Sequence, residues 1–182
     1  MTEPVATALG ARQLTIPAGV ELRTLASHSD DRGSVTELYR EQWDVLDAVQ
    51  WNFVRSQSNV LRGVHVHLRH SDYLVFLEGK AVVGLHDLRV ESATHGLAVT
   101  VAMNGDDLAA ISIPPGVAHG FCHITPTLHI YAMSEEWTPA DELGCRWDDA
   151  ELQIDWPLVN PIISDRDAAL PSLSGLKRAI SL

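Results

Sequence analysis

The sequence predicts an all-β fold, a sandwich or a small barrel, from the length, the boundaries and the spacing of its apolar runs. Between residues 51 and 137, runs of strand length recur, and turn residues such as Gly, Pro, Asn and Asp separate them. About seven strands at this spacing are typical of a sandwich or a small barrel. Such a barrel holds a small ligand in its mouth.

The chain before these runs predicts two short strands and one helix. Residues 19–39 contain two β-prone segments on either side of the turn sequence SDDRG. Residues 41–49, EQWDVLDAV, have apolar residues at helical spacing, which predicts a short helix. The tail from Asp141 onward contains three prolines and several aspartates. We expect it to be irregular, with one short helix.

The main strands follow one another from residue 58 to residue 137. The connections EGK at residues 78–80 and NGDD at residues 104–107 are of the hairpin type. In order, the predicted strands are SNVLRGVHVHL, DYLVFLEG, KAVVGLHDLRV, LAVTVAM, LAAISIPPG, HGFCHIT and LHIYAMSEEW.

Composition excludes several classes of partner. The 182 residues are enough for one domain, which we place at 1–182, and acidic residues outnumber basic ones 24 to 13. A net charge of −11 argues against a nucleic acid or an anionic membrane as the main partner. Two cysteines make no disulfide framework, and no apolar run approaches the roughly 20 residues that span a bilayer. The start, MTEPVATALGARQ, lacks the features of a signal peptide, so a cytoplasmic protein is expected.

The segment LRGVHVHLRH at residues 61–70 carries the first indication of chemistry. His65 and His67 are two residues apart, so on a strand their side chains point to the same face of the sheet. Two imidazoles aimed at one place indicate either a metal site or a proton-transfer group beside a substrate-binding group.

Five motifs in order resemble the dTDP-4-dehydrorhamnose 3,5-epimerase family. They are VLRGVH at 60–65, IPPGVAHGF at 113–121, IYAMSEEW at 130–137, RWDD at 146–149, and IDWP followed by ISDRDAALPSL. The resemblance implies a cupin-type β-sandwich or jelly-roll barrel with short helices at the termini and a core of about residues 20–173. It also implies a homodimer that acts on a nucleotide sugar, expected to be dTDP-linked, without a cofactor.

The resemblance assigns the catalytic roles to His65, Asp167 and Tyr131. His65 would remove a proton from a carbon beside the 4-keto group, because imidazole titrates near neutral pH. The Asp167 carboxylate would fix the tautomer of that imidazole and stabilise the imidazolium. Tyr131 would return a proton to the opposite face, which inverts the centre.

A larger set of substrate-contacting residues follows from the same resemblance. An arginine fork suits a diphosphate, because it binds two oxygens at once, and an aromatic ring stacks on a nucleotide base. The set is Arg32, Glu37, Gln50, Asn52, Arg62, His67, Asp72, His119 and Trp137.

Two departures from the family pattern leave alternatives open. His67 stands where relatives usually have glutamine, and Asp72 stands where they usually have lysine. With these changes, the segment from His65 to Gly79 and the segment Pro114 to His119 fit the pattern of metal-binding cupins. In that alternative, the ligands of Zn²⁺, Fe²⁺, Mn²⁺ or Ni²⁺ are His65, His67, Asp72 and His119.

We favour the epimerase because Tyr131 and Asp167 have no role in a metal site. The missing lysine leaves open whether one or two centres are inverted, since a carboxylate at that place opposes negative charge on an enolate. A non-catalytic protein that binds a sugar nucleotide is a third alternative. The nucleotide and the sugar remain open as well.

Overall fold

The structure, a computed structural model, describes residues 14–180 and confirms an all-β fold. Its strands pair antiparallel in two five-stranded sheets and one separate hairpin. The strands are β1 (Glu21–Thr24), β2 (Ser27–Asp30), β3 (Gly33–Thr36), β4 (Gln50–Ser56), β5 (Val60–Val66), β6 (Asp72–Glu78), β7 (Lys80–Asp87), β8 (Ala98–Asn104), β9 (Ala109–Ile113), β10 (Val117–His123), β11 (Thr127–Met133) and β12 (Leu143–Gly144).

The two sheets face each other across an apolar core. The first sheet has the order β1-β9-β6-β11-β4 and the second β12-β5-β10-β7-β8, while β2 and β3 form the hairpin. Leu74 and Ile111 of the first sheet pack in one buried cluster with Val83 and Leu85 of the second. This sandwich is the one that the alternation of short apolar runs predicts.

Strand β6 is buried on both faces, which explains its almost continuous apolar sequence DYLVFLE. One face contributes Leu74 and Phe76 to the core between the sheets. The other face contributes Tyr73 and Val75 to an outer cluster beneath the segment that contains Tyr39.

The two predicted hairpins are wrong. Glu78-Gly79-Lys80 joins β6 of the first sheet to β7 of the second, and the NGDD segment likewise joins β8 to β9 across the sandwich. Gly79 has φ +79°, and a Cβ there would lie 2.1 Å from the carbonyl oxygen of Pro126. Both segments therefore connect strands of different sheets instead of closing a pair of hydrogen-bonded strands.

The helical predictions need two corrections. The predicted helix at residues 41–49 is only a 3₁₀ turn at Glu41–Trp43, because Asp44 adopts a left-handed conformation that ends it. The tail contains two short α-helices, α1 (Asp165–Ala168) and α2 (Leu173–Ile180), in addition to 3₁₀ turns. Helix α2 buries Leu173 and Leu176 against the outside of the second sheet. Within residues 14–180, no helix has the length and apolarity required to cross a membrane.

Candidate active site

A cavity of about 470 Å³ opens between the sheets and brings most of the predicted site together. This volume lies within the range of small-molecule sites in proteins. The predicted residues that line it are Arg62, His65, His67, Asp72, His119, Tyr131, Trp137 and Asp167.

His65 lies between two carboxylates. Its Nε2 is 2.8 Å from Oδ1 of Asp167, and its Nδ1 is 3.2 Å from Oε1 of Glu142. Strand β5 places the ring, since it pairs with β10 on one side and with the short strand β12 on the other. Gly144 of β12 is directly opposite His65, and a Cβ there would lie 2.4 Å from the carbonyl oxygen of Val64. The close approach of β12, which brings in Glu142, therefore needs glycine.

Asp167 is buried at the start of the tail helices. The Ser164 side chain accepts a hydrogen bond from the Asp167 N–H and caps α1, which fixes the carboxylate towards β5. The backbone N–H of Gly63 donates to its Oδ2 over 3.3 Å. Burial raises the pKa of Asp167, but the hydrogen bond and charge of His65 and the Gly63 N–H outweigh burial and lower it overall. The carboxylate therefore stays ionised beside His65.

Glu142 proves to be the second partner of His65, although no sequence motif indicated it. It also accepts a hydrogen bond from Nε1 of Trp137 at 2.6 Å, and it pairs with Nη2 of Arg166 at 3.1 Å. Burial raises its pKa, but the charge on His65, the charge on His67 and these hydrogen bonds lower it overall. Only the β5–β12 pairing brings Glu142 to His65, so no local pattern marks it.

Tyr131 lies on β11, between β4 and β6, and its side chain lines the cavity. Burial raises the pKa of its phenol, and the negative charges of Asp72 and Glu142 raise it further, while Arg62 lowers it slightly. The phenol is therefore held in its protonated form.

Asp72 is the centre of a separate buried cluster on the cavity wall. Its Oδ2 is 3.2 Å from Nε2 of His119 and 3.4 Å from Nε2 of His67, while its Oδ1 is 3.8 Å from Nε2 of His70. The nearby Arg69 pairs with Glu135 at 3.0 Å and not with Asp72. Burial raises the pKa of Asp72, but its hydrogen bond with His119 and the imidazole charges lower it overall. Conversely, burial lowers the pKa of His119, but the Asp72 contact raises it overall.

The structure does not assemble the four-residue metal set that the sequence pattern predicts. Ligand atoms of His67, Asp72 and His119 all lie within 4.8 Å of one another. His65 is not part of this group, and its ring nitrogens contact Asp167 and Glu142 instead. The group that could hold a metal is therefore distinct from the proposed base.

The remaining predicted residues, Gln50, Asn52, Arg32 and Glu37, are not among the described residues that line the cavity. Gln50 and Asn52 of β4 are opposite Met133 and Tyr131, and Gln50 Oε1 accepts a hydrogen bond from the Trp137 N–H at 2.9 Å. Arg32 is exposed in the β2–β3 turn and pairs with Asp30 at 2.6 Å.

Glu37, just after β3, is exposed and pairs with Arg40. Arg32 and Glu37 are therefore not part of the cavity wall within residues 14–180.

Comparison with known proteins gives one consistent result. The family model of dTDP-4-dehydrorhamnose 3,5-epimerase matches residues 13–175. The spore coat polysaccharide biosynthesis protein SpsL of Bacillus subtilis (strain 168) is 35% identical over 143 residues, which cover 76% of this chain and 95% of SpsL.

Two solved structures share the fold over nearly the whole chain. The rmlC epimerase of Mycobacterium tuberculosis has a TM-score of 0.85 and 31% identity, covering 95% of this chain and 92% of its own. ChmJ, a 3'-monoepimerase from Streptomyces bikiniensis in complex with dTDP-quinovose, has a TM-score of 0.83 and 26% identity, covering 91% of this chain and 89% of its own.

Proposed function

The chain belongs to the dTDP-4-dehydrorhamnose 3,5-epimerase family of isomerases, and we propose that it epimerises a dTDP-linked 4-keto-6-deoxy sugar with His65 as base, Tyr131 as acid and Asp167 as the partner of the base. The observation that carries this proposal is the 2.8 Å contact between His65 and Asp167 in a cavity that Tyr131 also lines.

The first step transfers one proton from carbon to nitrogen. With Nε2–H donated to Asp167, the lone pair of a neutral His65 is on Nδ1, which takes the proton from a carbon beside the ketone. The electrons of the C–H bond form the enolate, with its negative charge on the ketone oxygen. The new Nδ1–H can donate to Glu142, 3.2 Å away, so both carboxylates stabilise the imidazolium.

The second step returns a proton to the same carbon from the other face. The Tyr131 O–H supplies it, and the enolate returns to the ketone. The phenolate then regains a proton from solvent, and the His65 imidazolium releases one to solvent, which restores both groups. The phenol enters the step protonated, in line with its raised pKa. The transient phenolate is the costly species here, since Asp72 and Glu142 are both negative.

Charge and shape favour a nucleotide sugar as the occupant. Arg62 and Arg166 line the cavity and suit a diphosphate, and the Trp137 ring, also on the wall, suits a base. The structurally similar ChmJ was solved in complex with dTDP-quinovose, which is a ligand of this class. The resemblance further implies a homodimer.

The test follows hydrogen exchange and inversion separately on a dTDP-linked 4-keto-6-deoxyhexose in D₂O, by NMR. Wild-type protein should incorporate deuterium beside the ketone and invert at least one centre. Tyr131→Phe should still exchange hydrogen but should lose net inversion by about 10²–10⁴-fold, since it lacks the acid. Tyr39→Phe, a matched change outside the cavity, should both exchange hydrogen and invert the centre at the wild-type rates. A wild-type protein that binds the sugar nucleotide without exchange would instead be a non-catalytic binder.

A further inference from the structure

His67, His119 and Asp72 form a compact donor set that the proposed proton transfers do not use. Their side chains are buried on the cavity wall, and Oδ2 of Asp72 lies 3.4 Å and 3.2 Å from the two Nε2 atoms. Two ligand atoms that bind one ion at about 2.1 Å lie roughly 3.0 to 3.4 Å apart. The two spacings from Asp72 therefore fit ligands around one ion, and all three ligand atoms lie within 4.8 Å of one another.

The hydrogen bonds behind the rings direct both Nε2 atoms at Asp72. Nδ1 of His67 donates to the carbonyl oxygen of Asp141 at 3.0 Å, and Nδ1 of His119 donates to that of Val117 at 3.0 Å. A neutral ring that donates from Nδ1 has its lone pair on Nε2. Histidines that bind metals are held in this way, with the second nitrogen donating to a carbonyl or a carboxylate.

His70 gives an independent indication that a partner belongs in this cluster. Its ring stacks on His67 with centroids 4.0 Å apart, and its Nδ1 contacts Oδ2 of Asp141 at 2.8 Å. Its Nε2 is buried, has no hydrogen-bond partner among residues 14–180, and lies 3.8 Å from Oδ1 of Asp72. A buried polar atom without a partner destabilises the fold, so an ion that accepts this lone pair would stabilise it.

We propose that His67, His119 and Asp72, with His70 beside them, bind one divalent first-row transition-metal ion. Imidazole nitrogens with one carboxylate suit Zn²⁺, Fe²⁺, Mn²⁺ or Ni²⁺, whereas Ca²⁺ and Mg²⁺ prefer sites made of oxygen. His65 lies outside the site, so the ion and the base occupy one cavity without competing for a residue.

The consequence for catalysis rests on the proposed epimerase function. Removal of a proton beside the ketone puts negative charge on an oxygen in a cavity where Asp72 and Glu142 are already negative. A divalent ion on Asp72 reverses the sign of the charge at that wall. It can then stabilise the enolate oxygen as a Lewis acid.

The test measures metal binding without any substrate. The protein is purified without added metal, analysed for metal content, stripped with a chelator, and titrated with Zn²⁺ against a coloured chelator. We expect one ion per chain in the wild type. Zn²⁺ at a hundredfold excess over Kd should raise Tm by roughly 5–10 °C.

Matched variants locate the ion. Asp72→Asn and His119→Gln should raise Kd for Zn²⁺ by about 100-fold or more and abolish the Tm shift. His65→Asn, in the same cavity, and His28→Gln, exposed on β2, should bind as the wild type does. If a variant fails to fold, Co²⁺ added to the wild type serves instead, and paramagnetically shifted imidazole signals are expected.

The proposal is overturned if the wild type binds Zn²⁺ no more tightly than Asp72→Asn, or if Co²⁺ shifts no imidazole signal. Metal binding and hydrogen exchange are measured separately, so the metal proposal and the epimerase proposal can fail independently. A protein that binds one ion but exchanges no sugar hydrogen would retain the metal site and refute the epimerase. A protein that binds no Zn²⁺ but still exchanges the sugar hydrogen would refute the metal site and retain the epimerase.

Discussion

At the residue scale, the role of each histidine follows from what its two ring nitrogens contact. His65 has a carboxylate at each nitrogen, which suits a ring that gains and loses a proton. His67 and His119 have a backbone carbonyl at Nδ1 and Asp72 at Nε2, which suits a ring that holds a cation. The sequence pattern predicts that these imidazoles lie near one another, but only the tertiary contacts separate their chemistry.

The first prediction concerns the partner of the base. Asp167→Asn should lower the rate of epimerisation by roughly 10²-fold or more, because an amide no longer fixes the His65 tautomer or stabilises its charged form. Steady-state kinetics on the keto sugar nucleotide give the rate. Asp165→Asn, an exposed residue on the same short helix, is the matched control and should keep its rate. Equal rates in the two variants would remove Asp167 from the mechanism.

Sequence reasoning predicted His65, Asp167 and Tyr131 from motifs in a familiar order, and the structure brings all three to one cavity. It missed Glu142 and His70. Glu142 reaches His65 only through the pairing of β12 with β5, a contact between segments far apart in the chain. His70 lies beyond the last residue of β5, where the strand periodicity no longer indicates which way a side chain points.

At the scale of elements, the strands were predictable and their connections were not. Apolar runs with turn residues between them marked β5 to β11, but β4 and the short strand β12 were not among the predicted strands. The segments EGK and NGDD look like hairpins because tight turns of any kind favour glycine and asparagine. Whether a tight turn pairs two strands or passes between sheets depends on packing, which a local sequence does not record.

The second prediction tests the corner at Gly79. Gly79→Ala should lower the free energy of unfolding by more than about 2 kcal/mol, because it adds a Cβ against backbone to the cost of a positive φ. Gly96 has φ +78°, and no atom of the described residues lies within 4 Å of its Cβ position. Gly96→Ala should therefore cost only about 1 kcal/mol. Urea unfolding of both variants measures the difference, and equal losses would show that the corner tolerates a side chain.

The third prediction concerns two buried histidines on β10 and β11. Burial lowers the pKa of His123 to about 4, with a further contribution from the charge of Arg62. Burial also lowers the pKa of His129 to about 3, with contributions from His123 and Arg62. In the unfolded chain, each ring titrates near 6.5. As pH falls below 6.5, the unfolded state gains protons that the folded state does not, so stability is lost.

Between pH 7.5 and pH 5, the free energy of unfolding is expected to fall by about 2 kcal/mol for each of these two histidines. His129→Phe should reduce this pH dependence by the same amount, since the new ring packs beside Phe76 and Phe121 and does not titrate. His28→Gln, on the exposed hairpin, serves as the control for loss of a histidine. Urea unfolding at the two pH values measures this difference. An unchanged pH dependence of stability in His129→Phe would contradict the lowered pKa of His129.

At the scale of the whole molecule, strand β4 is an edge of the first sheet, paired only with β11 among the described strands. Its outward side chains include Phe53, 68% exposed, and Trp51, 45% exposed. An apolar sheet edge is a place where a second chain pairs or packs. This supports the homodimer that the family resemblance implies.

The fourth prediction is that Phe53→Lys weakens the expected homodimer, raising its dissociation constant by roughly tenfold or more, since a charge replaces an exposed apolar side chain on this edge. Val159→Lys changes a side chain that is 84% exposed in the tail, and should leave the dimer intact. Light scattering over a dilution series gives both constants. A wild-type protein that is monomeric at micromolar concentration would exclude the dimer.

The rate of deuterium uptake in D₂O by His65→Asn tests whether His65 removes a proton from the sugar. The asparagine side chain still fills part of the space but cannot accept the proton. We predict that uptake beside the ketone of a dTDP-linked 4-keto-6-deoxyhexose falls by about 10²–10⁴-fold, while the Kd for dTDP stays near that of the wild type. Uptake at the wild-type rate in His65→Asn would show that His65 is not the base.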